Sequence, residues 1–342
     1  MMTKRERLNT VLSGKLADRP PICAYKHFPG REHTAAGLAE AMLEFQSRYD
    51  WDFVKIQSRG CYLLEAWGDT YDYSVYENQV FPKLVHRQIR SIEDFPKFTR
   101  KDPSEPAFAE QIEVVRMIRS GLKEDIPVFP TVFTPVNVIS CMLGAPPVRR
   151  HIEAYREENS LFRLFYTDRE RIHRALKEVA LTLADFYREL VDAGADGMFY
   201  GAIGWAREGY LTLEEWEEFV RPYDEIVLNA VKGRTVLLHT CGMRSNPERF
   251  VSYPISAIHW DQCADGNPEI YGSGSWIGGK TPMGGINEML FGTNAAHQIS
   301  RESKALLQKN REIPFIFVPN CSVAVNSLDE ELRAFRDSVE VR

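Results

Sequence analysis

The sequence lacks any long apolar run. No segment reaches the roughly 18 consecutive apolar residues that a membrane-spanning helix needs. The charged N-terminal segment also lacks the apolar stretch of a secretory signal. These absences predict a cytoplasmic protein that does not enter a membrane.

Cysteine is scarce, with 6 residues in a chain of 342. That is too few for a disulfide scaffold in a chain of this length. In the reducing cytoplasm, unpaired cysteines serve as metal ligands, as nucleophiles or as core residues. Each cysteine is therefore a candidate for one of these three roles.

Basic residues show no excess. Lys and Arg number 42 against 48 Asp and Glu, which gives a net charge of −6. Nucleic-acid binders usually carry a basic face, so this balance argues against a nucleic-acid partner and leaves a small-molecule substrate. The 44% of hydrophobic residues is ordinary for a globular protein and suffices for a large core.

The chain does contain a repeated alternation of short apolar strands and amphipathic helices. Strands are predicted at 21–23, 53–56, 128–133, 198–201, 235–240, 257–260, 281–286 and 314–318. Helical periodicity predicts helices at 35–49, 168–192, 212–230, 293–309 and 327–339. Eight such strands favour a (β/α)8 barrel over a doubly wound sheet. No glycine fingerprint for a dinucleotide follows the first strand.

Local signals refine this outline. Three Ser/Thr–Glu pairs have the spacing of a capping box and predict helix starts: Thr167 with Glu170, Thr212 with Glu215, and Ser327 with Glu330.

No Gly/Ser-rich linker divides the chain, so we expect one barrel domain over 1–342. Residues 59–124 fit the alternation least and are predicted to form an insertion at the barrel rim.

Candidate metal ligands lie at the ends of two predicted strands. His239 and Cys241 are two positions apart, so on a strand they point to the same face. Cys321 follows the last strand, and barrel enzymes place their active sites at these carboxyl ends. One His and two Cys suit a tetrahedral Zn²⁺ with an open fourth position. The alternative is that these cysteines are core residues.

An open position on such a metal would allow a substrate to bind and react. A thiol bound there loses its proton and becomes a methyl acceptor. Asp261 is a candidate fourth ligand, or a partner that orients His239. His259 and Cys263 are less suited to the metal but stay open as alternatives.

Further residues are candidates for substrate contact because they follow predicted strands. Tyr25, Lys26 and His27 come after the first strand, and Tyr200 ends the fourth. Asn137 lies shortly after the third strand. The alternatives are a solvent-facing loop for the first three residues and a core position for Tyr200.

The sequence resembles the uroporphyrinogen decarboxylase superfamily over essentially its whole length. The motifs that carry the resemblance are Thr3-Lys-Arg-Glu-Arg-Leu, Asp18-Arg19-Pro20-Pro21, Glu44-Phe45-Gln46, Asp52-Phe53-Val54-Lys55, Trp67-Gly68, Gly194-Ala195-Asp196-Gly197, 211–222 and 279–286. The resemblance implies a (β/α)8 barrel, in agreement with the strand count, and a homodimer.

Two branches of that superfamily imply different chemistry. Its decarboxylases hold substrate acids with an Arg-rich motif after the first strand, where this chain reads Tyr25-Lys26-His27-Phe28-Pro29-Gly30-Arg31. Its zinc methyltransferases carry His-x-Cys on the fifth strand and Cys after the eighth, as His239, Cys241 and Cys321 do here. That branch implies Zn²⁺ and a corrinoid (cobalamin) supplied by a partner protein.

The favoured prediction is a zinc methyltransferase that moves a methyl group between a corrinoid protein and a small thiol or other small molecule, in either direction. The first alternative is a cofactor-free decarboxylase, against which the missing arginines argue. The second is a barrel that binds a ligand without turnover.

Overall fold

The computed structural model describes residues 2–77, 81–144, 156 and 159–340. Its strands are β1 (Val54–Ile56), β2 (Thr70–Glu77), β3 (Phe81–His86), β4 (Val128–Phe133), β5 (Gly197–Ile203), β6 (Thr235–Thr240), β7 (Ala257–His259), β8 (Thr281–Ile286) and β9 (Ile316–Pro319). Its α-helices are α1 (Lys4–Leu12), α2 (Ala35–Tyr49), α3 (Tyr62–Glu65), α4 (Pro106–Gly121), α5 (Pro135–Met142), α6 (Ser160–Thr167), α7 (Arg169–Asp192), α8 (Leu213–Phe219), α9 (Arg221–Asn229), α10 (Ala296–Lys309) and α11 (Asp329–Arg336).

The main sheet is parallel, in the order β1-β4-β5-β6-β7-β8-β9. The segment at Ile22 lies between its two ends. Ile22 forms a parallel bridge with Phe317 of β9, and its carbonyl accepts the backbone N–H of Asp52 at 2.9 Å, just before β1. The sheet therefore closes, and the predicted (β/α)8 barrel is confirmed.

The first barrel strand is shorter than the predicted 21–23. Ile22 is described as an isolated bridge rather than as part of a longer ladder. Pro20 and Pro21 precede it, and neither has a backbone N–H to donate. The other predicted strands occur within about two residues of their predicted ends.

The predicted helix at 212–230 is two helices, α8 and α9. The backbone turns at Val220, and Pro222 lies in the first turn of α9. A proline there is tolerated, whereas inside one continuous helix its ring would clash with the preceding turn. The capping box of Thr212 and Glu215 is confirmed at the start of α8.

The other two predicted capping boxes are wrong. Thr167 is the last residue of α6, and its hydroxyl donates to the carbonyl of Arg163 at 3.3 Å. At α11 the box is displaced by one residue, since Glu331 accepts the backbone N–H of Leu328 at 2.9 Å. A three-residue spacing alone does not select between adjacent starts.

In the described part of 59–124, a pair of strands lies outside the barrel alternation. β2 and β3 pair antiparallel as a hairpin, separate from the barrel sheet. The helix α4, by contrast, packs beside α2 in the outer ring. Residues 78–80 lie outside the described residues. The assignment of 59–124 to a rim insertion in a single domain stays a prediction.

A buried ion cluster ties the N-terminal segment to the barrel. The Asp52 carboxylate is fully buried and accepts hydrogen bonds from Arg7 at 2.7 Å and from Arg19 at 2.5 Å. It also accepts the backbone N–H of Ile22 at 2.7 Å. Asp52 thus links α1, the first barrel strand and the start of β1.

The helices pack their apolar faces against the sheet. In α7, Leu176, Leu183 and Leu190 follow a seven-residue spacing and are buried. Among the described helices, none combines the length and apolar character needed to cross a membrane.

Candidate functional site

The barrel brings together three of the predicted site residues. His239 lies near the end of β6 with Cys241 directly after that strand, and Cys321 directly follows β9. Nε2 of His239 lies 3.6 Å from Sγ of Cys321, which lies 3.9 Å from Sγ of Cys241. One ligand atom from each residue lies within 4.8 Å of the other two.

These distances fit one tetrahedral metal ion. Two sulfurs bound to Zn²⁺ at about 2.3 Å lie about 3.8 Å apart, and a sulfur and a nitrogen at about 2.1 Å lie about 3.6 Å apart. The observed sulfur–sulfur and sulfur–nitrogen separations are 3.9 and 3.6 Å. The donor set of one imidazole and two thiols is one that Zn²⁺ prefers.

Ring packing holds the His239 imidazole. The rings of Phe199 and His259 lie 5.5 and 4.6 Å from it, centre to centre. Nδ1 of His239 is buried and has no hydrogen-bond partner among the described residues. This nitrogen gives no support to the expectation that Asp261 orients His239, which stays a prediction.

Asp261 instead forms hydrogen bonds with residues that follow β7 and β9. Its buried carboxylate accepts from the Asn320 side chain at 2.7 Å and from the backbone N–H of Cys263 at 2.9 Å. Asn320 directly precedes Cys321, and its own Oδ1 accepts the Gly285 N–H at 2.9 Å. Asp261 does not belong to the described three-residue cluster, so its predicted role as a fourth ligand finds no support in this geometry.

His259 is fully buried and has both nitrogens in use. Nε2 lies 3.1 Å from the carbonyl of Pro319, which can only accept, so Nε2 carries the proton. Nδ1 then accepts from the hydroxyl of Tyr25 at 3.1 Å. Burial, and next the neighbouring His239, hold the pKa of His259 well below its usual value. His259 is thus a neutral support beside the cluster.

The backbone at Ile203 fixes the position of Cys241. Ile203 has a φ of 51°, in the left-handed region that a β-branched residue rarely adopts. The sheet register shifts between Gly201 and Ile203. The turned carbonyl of Ile203 accepts the Cys241 N–H at 2.8 Å. A strained backbone at this point therefore helps to position a candidate ligand.

A cavity of about 180 Å³ opens onto the cluster at the carboxyl ends of the strands. Three of the predicted substrate contacts line it: Tyr25, His27 and Asn137. The rings of Phe81, Phe133 and Phe199 form apolar walls. Cys141 also lines the cavity, and burial raises the pKa of its thiol to about 12, so it stays protonated.

Lys26 and Tyr200 are not among the described residues that line this cavity, so the cavity gives no support to their predicted substrate contacts. The ammonium of Lys26 donates to the carbonyl of Val325 at 3.1 Å. Tyr200 points to the opposite side of β5 from Phe199, because side chains alternate along a strand. Its hydroxyl donates to the buried Asp224 at 2.6 Å, which Tyr253 also contacts at 3.0 Å.

Sequence reasoning named His27 but missed the chain of polar side chains that runs through it from the cavity. Lys55 donates to Oε1 of Gln57, and Nε2 of Gln57 lies 2.8 Å from Nε2 of His27. Nδ1 of His27 lies 3.2 Å from the fully buried Glu32. An ammonium can only donate, so Gln57 donates to His27, and His27 to Glu32. The available signal was a lysine inside the apolar strand β1.

Comparisons with known proteins agree with this architecture. A methyltransferase from Methanosarcina mazei has a TM-score of 0.78 at 15% identity, covering 99% of this chain and 98% of that chain. A B12-independent methionine synthase from a Shewanella species, in complex with selenomethionine, has a TM-score of 0.56 at 14% identity, with 94% and 96% covered. A putative vitamin-B12 independent methionine synthase from Listeria monocytogenes has a TM-score of 0.52 at 13% identity, with 89% and 85% covered.

At such low identities, the structural similarity shows a shared fold alone. No curated protein sequence matches the chain. A family model described as uroporphyrinogen decarboxylase (URO-D) matches residues 3–341. That match spans nearly the whole sequence, and the predicted resemblance is confirmed: the chain belongs to the uroporphyrinogen decarboxylase family.

Proposed function

We propose that this protein is a zinc-dependent methyltransferase. His239, Cys241 and Cys321 would hold Zn²⁺ at the mouth of the barrel. The methyl group would pass between a corrinoid carried by a separate protein and a small thiol or other small molecule. Demethylation of a small methylated compound would use the same site in the reverse direction.

The observation that carries the proposal is the spacing of the three ligand atoms. They come from two strand ends, and their separations of 3.6 and 3.9 Å suit a tetrahedral ion with three protein ligands. The names of the structural neighbours, a methyltransferase and two methionine synthases, agree with methyl transfer.

Zinc at this position would supply Lewis acidity that favours the ionised form of a thiol. The chain's own residues prepare the site. Phe199 and His259 pack against the His239 ring, and the Ile203 carbonyl holds the backbone of Cys241. The apolar walls of the cavity lower the polarity of its surroundings, which strengthens electrostatic interactions inside it.

The positions of the basic residues after the first strand support a decarboxylase less well than a methyltransferase. Arg31, the arginine after the first strand, forms an ion pair with Glu44 at 2.6 Å on the protein surface. Lys26 donates to a backbone carbonyl outside the cavity. Neither residue is placed to hold acid groups of a substrate beside the cluster.

Zinc content tests the metal site. Protein purified without added metal and without a histidine tag should contain about one zinc per chain by elemental analysis. Cys321→Ser should lose most of it, because one of three ligands is removed. Cys263→Ser is the matched control, since Cys263 is exposed and outside the cluster. Equal zinc in both variants, or none in the parent protein after zinc is supplied under reducing conditions, would contradict the proposal.

Turnover separates an enzyme from a binding barrel. Methylcobalamin serves as a free methyl donor, and loss of its cobalt–methyl absorbance in the presence of small thiols reports transfer. The proposal predicts transfer that depends on bound zinc. A zinc-loaded protein that binds thiols without transfer would favour the non-catalytic alternative.

A further inference from the structure

We propose, as a refinement that rests on the proposed function, that Phe81 sets the upper size limit of the substrate. The substrate class would be small molecules of about the size of benzene or smaller, bound with their reacting group at the metal site. Phe81 is a specificity-determining residue in this proposal, and it belongs to the hairpin of β2 and β3 rather than to the barrel.

The cavity has room for one small molecule. Its volume is about 180 Å³, and an apolar cavity of about 150 Å³ holds one benzene molecule. Phe133 ends β4 and Phe199 lies on β5, so the packing of the barrel fixes these two walls. Among the described residues that line the cavity, Phe81 is the only one that the hairpin provides. The hairpin can therefore set the size of the cavity independently of the barrel.

Gly60 leaves the space in which the Phe81 ring lies. A Cβ atom at Gly60 would lie 2.4 Å from Cε1 and 2.7 Å from Cζ of Phe81. Carbon atoms that are not bonded pack best at about 3.5–4.0 Å, so any larger residue would displace the ring. Gly60 itself lines the cavity. The ring of Phe81 therefore lies directly against the backbone at the edge of the cavity.

A buried ion cluster holds the hairpin and Gly60 in place relative to each other. Arg59 directly precedes Gly60, and its buried guanidinium pairs with Glu65 at 2.6 Å and also with Glu110. The same Glu65 accepts the hydroxyl of Tyr73, on β2, at 2.5 Å. Glu65 thus contacts both the loop that contains Gly60 and the hairpin that contains Phe81. The position of the Phe81 ring is fixed by these contacts.

The main core does not account for Phe81. Its side chain is partly exposed and lies outside the hydrophobic core cluster. The next residue, Pro82, is buried and pairs in register with Tyr76 of β2. Pro82 therefore supports the hairpin, whereas the ring of Phe81 is left to line the cavity.

The test compares two thiols of similar acidity, ethanethiol and 2-phenylethanethiol, on cobalt-substituted protein. The thiolate–cobalt absorption band reports binding without any turnover. The parent protein should bind ethanethiol at least about 10-fold more tightly, because the phenyl group of the larger thiol overfills the cavity. Phe81→Ala removes one ring from the wall, and the phenyl group can occupy that space. This variant should therefore prefer 2-phenylethanethiol.

Two further variants separate the size limit from damage to the hairpin. Phe81→Leu keeps an apolar side chain at the position and should give a ratio between those of the parent protein and Phe81→Ala. Val85→Ala is the matched control, because Val85 is an exposed residue of the same strand, β3. It should keep the ratio of the parent protein.

A second measurement needs neither metal nor turnover. In zinc-free protein, methyl and 2-phenylethyl methanethiosulfonate each transfer their thio group to a cysteine thiolate and release methanesulfinate. Cys321 lines the cavity, and the exposed Cys263 calibrates the intrinsic reactivity of the two reagents. Mass spectrometry should find the larger reagent disfavoured at Cys321 by at least about 10-fold in the parent protein. Phe81→Ala should remove most of that difference.

The outcomes distinguish the size limit from the metal site. Equal binding of the two thiols by the parent protein would overturn the size limit, and so would the same ratio in the parent protein, Phe81→Leu and Phe81→Ala. An absent cobalt band, together with labelling of Cys321 that still depends on Phe81, would refute the metal site and leave the size limit standing.

Discussion

Nε2 of His239 lies 3.6 Å from Sγ of Cys321, although the two residues are 82 positions apart in the chain. Their strands, β6 and β9, are not neighbours, because β7 and β8 lie between them in the sheet. The contact therefore forms across the mouth of the closed barrel. Any chemistry of this pair depends on the closure of the whole sheet.

Oxidation should report a second close pair at this site, Cys241 and Cys321. The Cys241 and Cys321 sulfurs lie 3.9 Å apart, and a disulfide needs about 2.05 Å. We expect a mild thiol oxidant to join them in metal-free protein, and bound zinc to block the reaction because both thiolates are engaged. Mass spectrometry of peptides after alkylation of free thiols measures the cross-link. Equal cross-linking with and without zinc would contradict metal binding by these thiols.

Asp52→Asn should destabilise the barrel strongly. The substitution removes a buried carboxylate and leaves the buried guanidinium of Arg7 and the neighbouring Arg19 without this partner. Breaking such a buried pair typically costs about 3–5 kcal/mol. Chemical denaturation followed by circular dichroism measures the free energy of unfolding. Asp329→Asn, at a more exposed ion pair with Arg48, is the control and should change it by about 1 kcal/mol or less.

Tyr25→Phe should lower stability but keep the metal site. Removal of the hydroxyl leaves Nδ1 of the buried His259 without the hydrogen bond it accepts at 3.1 Å. An unsatisfied buried acceptor costs about 1–3 kcal/mol. Thermal and chemical unfolding measure the loss, and elemental analysis should find the zinc content unchanged. Tyr271→Phe, at an exposed tyrosine, provides the comparison; matching losses in the two variants would contradict a role for the His259 contact.

Asp224 should make stability depend on pH. Burial raises the pKa of Asp224 to about 7, above the value of about 3.9 in an unfolded chain. Between these two pKa values, the folded protein therefore keeps a proton on Asp224 that the unfolded chain releases. This contribution is complete below about pH 4 and is lost as the pH rises through 7, with a slope of at most about 1.4 kcal/mol per pH unit.

Asp224→Asn should remove that slope. The difference in unfolding free energy between the parent protein and the variant, measured from pH 5 to 8, isolates the single residue from the other titrating groups. The parent protein should lose stability relative to the variant as the pH rises. Parallel curves would show that Asp224 holds no proton in the folded state at these pH values.

Much of the fold could be predicted because its signals are local. Short apolar runs located the strands of the barrel, helical periodicity located several of its helices, and Thr212 with Glu215 marked a helix start correctly. The motif residues Arg7, Arg19 and Asp52 had no predicted role, and the structure joins them in one buried cluster. Their partners are distant in sequence, so no local pattern indicates the contact.

The sequence by itself determined the alternation of strands and helices, and it placed His239 and Cys241 on one face of a strand. A strand has a period of two, so that pairing needs no tertiary information. Only the tertiary structure decided that Cys321 meets them, that Tyr200 points away from the cavity and that Lys55 points into it. Those outcomes depend on barrel closure and on which side of each strand faces inward, and both follow from the packing of the whole chain.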